Sequence, residues 1–99
     1  MANFYFTNKA VNDLTQIWDY TFEKWSEKQA DKYYNDLLNA CKRIAVNSDL
    51  GRKYIKVIPD LLGLRINRHI IFYRRIDSDF VEITRILHEK MDLKKRILE

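Results

Sequence analysis

The apolar residues of this 99-residue chain change their spacing once, and that change limits the folds open to it. Ala10, Val11, Leu14, Ile17, Trp18, Thr21, Phe22 and Trp25 recur three and four residues apart, with Lys9, Asn12, Asp13, Gln16, Asp19 and Glu23 on the other side. A stripe of that kind is one face of an amphipathic helix. Ala30, Tyr33, Tyr34, Leu37, Leu38, Cys41, Ile44 and Ala45 repeat it. Beyond Pro59 the spacing falls to two. Leu62, Leu64 and Ile66 alternate with Gly63, Arg65 and Asn67, and Val81 and Ile83 alternate with Glu82 and Thr84 until Arg85 breaks the pattern. Alternation marks a strand with one buried face.

The punctuation agrees with this division. Phe4-Tyr5-Phe6 is a short aromatic run of strand type, and Thr7 stands where a helix N-cap belongs. Ser26-Glu27-Lys28-Gln29 fits a capping box, so a second helix starts almost without a linker and folds back as an antiparallel hairpin. Asn47 to Gly51 closes that helix, with Gly51 free to take positive φ. A basic connector and the Pro59-Asp60 turn follow. A turn near Arg68 then leads into His69–Arg75, and Asp77-Ser78-Asp79 turns into the last strand, Phe80–His88.

The expected order is β-α-α-β-β-β, a single domain over residues 1–99. The fold class is α+β in two layers, an antiparallel helix hairpin on one face of a mostly antiparallel four-stranded sheet. In His69–Arg75, Ile70 and Phe72 face one way and Ile71 and Tyr73 the other, so both faces are apolar. Only a short tail after Glu89 remains to form a third layer. An uncovered apolar face rimmed by arginines predicts a protein-binding surface, the alternative being a cover made by the tail or by a second copy.

Charge narrows the partners. Of the net +4, the excess lies in residues 52–75, where Arg52, Lys53, Lys56, Arg65, Arg68, Arg74 and Arg75 face Asp60 alone. Such a concentration points to an anionic partner, either nucleic acid or an acidic protein surface. The start MANFYFTN has no basic region before an apolar run, and no apolar run approaches the ~20 residues that span a bilayer. Cys41 has no disulfide partner and falls in a helical stripe, so it reads as a core residue of a cytoplasmic protein. Two histidines 19 residues apart give no metal-ligand spacing, and Gly51 and Gly63 cannot make a phosphate loop. No metal or cofactor is expected. One constellation has catalytic character: Arg65, Arg68, Arg85 and His88 on or beside adjacent strands, with Tyr73 among them. These residue types suit metal-free RNA cleavage, with cations on the phosphate and a proton donor and acceptor. The same arginines on an open sheet also suit the carboxylates of a protein partner.

The segments IWDYTFEKWSEKQADKYY (Ile17–Tyr34), NSDLGR (Asn47–Arg52), HIIFYR (His69–Arg74) and EITRILHEKMDL (Glu82–Leu93) resemble ParE toxins of the RelE/ParE superfamily, also called plasmid-stabilisation proteins. The resemblance covers nearly the whole chain. It implies the toxin of a type II toxin–antitoxin module that traps the DNA gyrase–DNA cleavage complex by binding. A ParD-like antitoxin with an acidic, apolar C-terminal segment would wrap it as a hetero-oligomer and carry the only contact with operator DNA. On that basis Arg65, Ile71, Tyr73, Arg74 and Arg75 are expected to bind antitoxin, and Arg68, Arg85, His88, Met91 and Asp92 to bind the target. The alternative within the superfamily is a ribosome-dependent messenger RNA endonuclease, for which Arg65, Arg85 and His88 would be the catalytic set. The tail Glu89–Leu98 lacks the Tyr or second His that several such nucleases place there, which ranks binding above cleavage.

Overall fold

Each half of the chain takes the structure its spacing demands, and the two halves meet as layers. The computed structural model describes residues 3–99; Met1 and Ala2, the first two residues of the MANFYFTN start, lie outside the described residues. The elements are β1 (Asn3–Phe6), α1 (Asn8–Lys24), α2 (Glu27–Val46), β2 (Arg52–Lys53), β3 (Leu62–Ile66), β4 (His69–Arg75), β5 (Phe80–His88) and α3 (Leu93–Leu98). The sheet order is β1-β5-β4-β3-β2, with β1 parallel to β5 and every other pair antiparallel. The sheet thus has five strands where four were expected. The basic connector adds β2, two residues that pair with Gly63 and Leu62 and carry no apolar alternation to reveal them.

Both long helices start on side-chain caps. Thr7 accepts from the Ala10 N–H at 3.1 Å and Ser26 from the Gln29 N–H at 3.0 Å, each cap contributing about 1 kcal/mol. Only the serine half of the expected capping box forms. The hairpin buries Ala10, Leu14, Leu37, Ala40, Cys41 and Ile44 against Leu62, Ile71, Tyr73, Val81, Ile83 and Ile86 of the sheet. Cys41 lies in this core, and burial pushes its thiol up to about 12, which makes it inert near neutral pH. The stripe that α1 buries is narrower than its sequence pattern, since Val11, Phe22 and Trp25 stay exposed.

The far face of the sheet departs from expectation. It is covered: Ile70, Phe72 and Leu87 pack with Leu61 and Ile97 in a second core, flanked by Tyr54, Val57, Ile58 and Leu93. The connector and α3 make this thin third layer, as the alternative reading of a covering tail required. Gly63 admits it, because a Cβ there would sit 2.7 Å from a ring carbon of Tyr54. Ile71 and Tyr73, expected to anchor the antitoxin, are 0% exposed and belong to the core under the helices. The Tyr73 hydroxyl donates to the Ser48 carbonyl at 2.7 Å and accepts from the Gly51 N–H at 2.8 Å. Gly51 therefore serves close approach and not backbone freedom: no glycine has positive φ, and a Cβ would lie 2.6 Å from that hydroxyl.

Tyr73→Phe is expected to cost about 1–2 kcal/mol in urea unfolding by removing both bonds. Tyr73→Asp is expected to unfold the chain, since it buries an unpaired carboxylate. A folded Tyr73→Asp protein, judged by circular dichroism, would contradict this placement.

Candidate functional site

A strand irregularity decides where the functional candidates point. On β4, Phe72 pairs with Arg85 but Tyr73 pairs with Ile83, so β5 bulges at Thr84. The bulge shifts the alternation, which is why Ile86 follows Val81 and Ile83 into the core and Arg85 does not. β1 covers the edge of β5 only as far as the Phe6–Ile83 pair. Beyond it, α1 supplies the partners. Thr7 donates to the Thr84 carbonyl at 2.8 Å, and the Ile86 N–H donates to Asp13 at 3.0 Å. The Arg85 guanidinium donates to both oxygens of Asp13, at 2.8 and 3.0 Å, and to the Arg96 carbonyl of α3 at 2.6 Å. Asp13 and Arg85 are each 7% exposed. The carboxylate beside it holds the guanidinium still more firmly charged than usual.

Arg85 therefore serves the fold, where a target-binding or phosphate-binding role was expected. Asp13, assigned by spacing to the solvent side of its helix, is its buried counter-charge. The remaining arginines do not converge. Arg65 is exposed and pairs with Glu89. Arg74 and Arg75 lie at the other end of β4 and pair with Glu82 at 3.7 Å and Asp49 at 2.5 Å. Asp92 caps α3 by accepting from the Lys95 N–H at 3.1 Å. Within residues 52–75, Arg52, Lys53, Lys56 and Arg68 carry no ion pair among the described residues, so the free positive charge of that segment lies in the connector and in the β3–β4 turn.

A broad concavity lies between the helix hairpin and the ends of β4 and β5. Two adjoining cavities of about 390 and 620 Å³ share Tyr20, Thr21, His69 and His88; Met91 lines the first and Arg68 the second. His69 and His88 are direct partners across β4 and β5, with ring centroids 5.2 Å apart and nearly perpendicular. The Tyr33 hydroxyl is 2.5 Å from His69 Nδ1. A hydroxyl that donates to Nδ1 leaves the proton of the neutral ring on Nε2. The Lys90 N–H donates to His88 Nδ1 at 3.1 Å, which fixes the same tautomer there. Burial, aided by the neighbouring His88, lowers the His69 pKa to about 4, and burial raises that of Tyr33. Among the described residues no group of three His, Cys, Asp or Glu is placed to hold a metal ion.

Of the expected target-binding residues, the structure brings Arg68, His88 and Met91 to this groove and leaves out Arg85 and Asp92. It adds Tyr20, Tyr33 and His69. A fold-back about Asp77–Asp79 puts residue 69 near 87, and the bulge moves it opposite 88. That one-residue shift is what joins two histidines 19 positions apart.

Residues 4–93 match the family described as the ParE toxin of the type II toxin–antitoxin system parDE. The chain belongs to the ParE toxin family. It is 32% identical to Toxin ParE1 of Mycobacterium tuberculosis over 84 residues, covering 85% of this chain and 86% of that one. Toxin ParE1 of Caulobacter vibrioides is 27% identical over 98% of this chain and 99% of its own length. Toxin ParE of Escherichia coli is 27% identical over 100% of this chain and 96% of its own. A solved structure titled "Chromosomal ParDE TA system from P. aeruginosa" superposes with a TM-score of 0.75 at 21% identity, over 89% of this chain and 96% of that one, and shows a shared fold. The chain is thus a ParE toxin of a type II module, built on the α+β fold its sequence implied. No helix among the described residues is long and apolar enough to cross a membrane.

The ion pair and the histidine each give an expected outcome. Asp13→Ala or Arg85→Ala leaves a buried charge unpaired and is expected to cost about 3–5 kcal/mol in chemical denaturation. Replacing both by apolar residues is expected to cost less than the two single changes together, as a double-mutant cycle would measure. His69 has a lowered folded-state pKa, so between about 4 and 6.5 the unfolded chain binds the proton more readily. Its stabilising effect is complete above about pH 6.5 and is lost as the pH falls towards 4. Urea midpoints at pH 7, 5 and 4 are expected to decline, and to decline less steeply in His69→Gln.

Proposed function

We propose that this ParE toxin acts by binding, holding the DNA gyrase–DNA cleavage complex, and that a ParD-like antitoxin neutralises it. Membership of the ParE family over residues 4–93 supports the toxin role, and the burial of Arg85 favours binding over cleavage. The nuclease reading needs Arg65, Arg85 and His88 on one phosphate. Arg85 is buried and engaged by Asp13 and the Arg96 carbonyl, so it cannot join the other two. Only His88 is left facing the groove.

The antitoxin surface is proposed at the free cations of the connector and at Arg65, Arg74 and Arg75, whose present carboxylate partners an acidic segment would exchange. Ile55, 61% exposed between Lys53 and Lys56, supplies an apolar contact there that the buried Ile71 and Tyr73 do not. The complex is a hetero-oligomer in this reading, and operator DNA is reached through the antitoxin.

Purified toxin is expected to inhibit supercoiling by gyrase and to accumulate cleaved DNA, with the antitoxin reversing both. Induced cells are expected to filament while bulk translation continues. His88→Gln is expected to leave toxicity largely intact. Arg85→Lys is expected to act through stability, because an ammonium cannot span both Asp13 oxygens. Messenger RNA cut on ribosomes and spared by His88→Gln would overturn the reading in favour of the nuclease.

A further inference from the structure

We propose that the groove floor is a carboxylate-binding site for an acidic residue set among apolar neighbours on a protein partner. Its floor presents donors. His69 and His88 each spend Nδ1 as an internal acceptor, on the Tyr33 hydroxyl and the Lys90 N–H, and each keeps an Nε2–H. Arg68, on the β3–β4 turn, adds a guanidinium with no ion-pair partner among the described residues.

The carboxylates nearby are already engaged. Asp13 is held by Arg85 and the Ile86 N–H, and Asp36 pairs with Lys32 at 3.5 Å. Two N–H donors and one free cation match an oxyanion, and the neutral amides of Gln16, Gln29 and Asn67 on the walls can donate to it as well.

The walls decide which oxyanion. Ile17, Ile86, Met91 and the Tyr20 ring, 62% exposed, line the groove beside the histidines, and Trp25, 76% exposed, stands at its far rim. A nucleic-acid strand carries a charge at every phosphate and needs a row of free cations. Here there is one, close to two carboxylates. A glutamate or aspartate between apolar side chains meets one charge, two donors and an apolar wall. This assignment rests on the groove alone and holds whichever target the toxin has.

The test is a nuclear magnetic resonance titration of the folded chain at pH 7, following the imidazole ¹⁵N and ¹H signals of both histidines. Acetyl-Leu-Glu-Leu-amide is expected to shift both, and its glutamine counterpart to bind about tenfold more weakly, the loss of one charge-assisted contact. His88→Phe keeps a ring but removes a donor, and is expected to weaken the glutamate peptide about tenfold. Arg68→Ala, on an exposed turn, supplies the same comparison if His88→Phe does not fold. Equal binding of the two peptides would overturn the proposal, and so would affinity unchanged in whichever variants fold. Tetrathymidylate binding more tightly than the glutamate peptide would assign the groove to phosphate and overturn it as well.

Discussion

Asp13 accepts three hydrogen bonds from consecutive residues of one strand: two from the Arg85 guanidinium and one from the Ile86 backbone. That carboxylate joins α1 to the stretch of β5 that β1 does not reach. Through Arg85 it also reaches the Arg96 carbonyl, and so fixes α3, whose Ile97 closes the second core. One buried pair therefore ties the helical layer, the sheet edge and the C-terminal cover together. A buried ion pair contributes little net stability against an apolar replacement, yet each partner is costly to leave alone. Here the pair settles the register of α1 against β5 and the side on which α3 lies.

The bulge at Thr84 has consequences at both ends of β5. Towards the start it keeps Val81 and Ile83 under the helices, and beyond it Ile86 resumes that role. At the far end it sets His88 opposite His69, and those rings form the floor between the two cavities of the groove. A sheet without the extra residue would pair His69 with residue 87 and turn the histidines to different faces. The feature that interrupts the apolar alternation is thus the one that assembles the site.

The positive segment, residues 52–75, also resolves into separate roles. Arg65 alternates with apolar neighbours on β3, Arg74 and Arg75 end β4, and all three hold surface carboxylates, while the connector keeps its cations free and lays Tyr54, Val57, Ile58 and Leu61 over Phe72. The segment is charged and apolar together because the middle of β4 is buried on both faces while its last residues, the connector and the β3–β4 turn lie in solvent.

Local patterns settled a good deal of this protein. Stripe spacing placed both helices, Thr7 and Ser26 placed their starts, alternation placed β3 and the first half of β5, and the motifs carried the ParE resemblance. Each of these depends on neighbours within a few residues, which periodicity and capping record directly. Tertiary structure alone decided the rest. Asp13 reads as solvated because its partner is 72 residues away, and the connector reads as a loop because its apolar residues follow no period. Ile71 and Tyr73 read as a docking face because a strand apolar on both sides does not say which layers will cover it. A buried charge pair, a one-residue bulge and a cover laid from distant segments depend on what meets across the fold, and adjacent residues hold no record of that meeting.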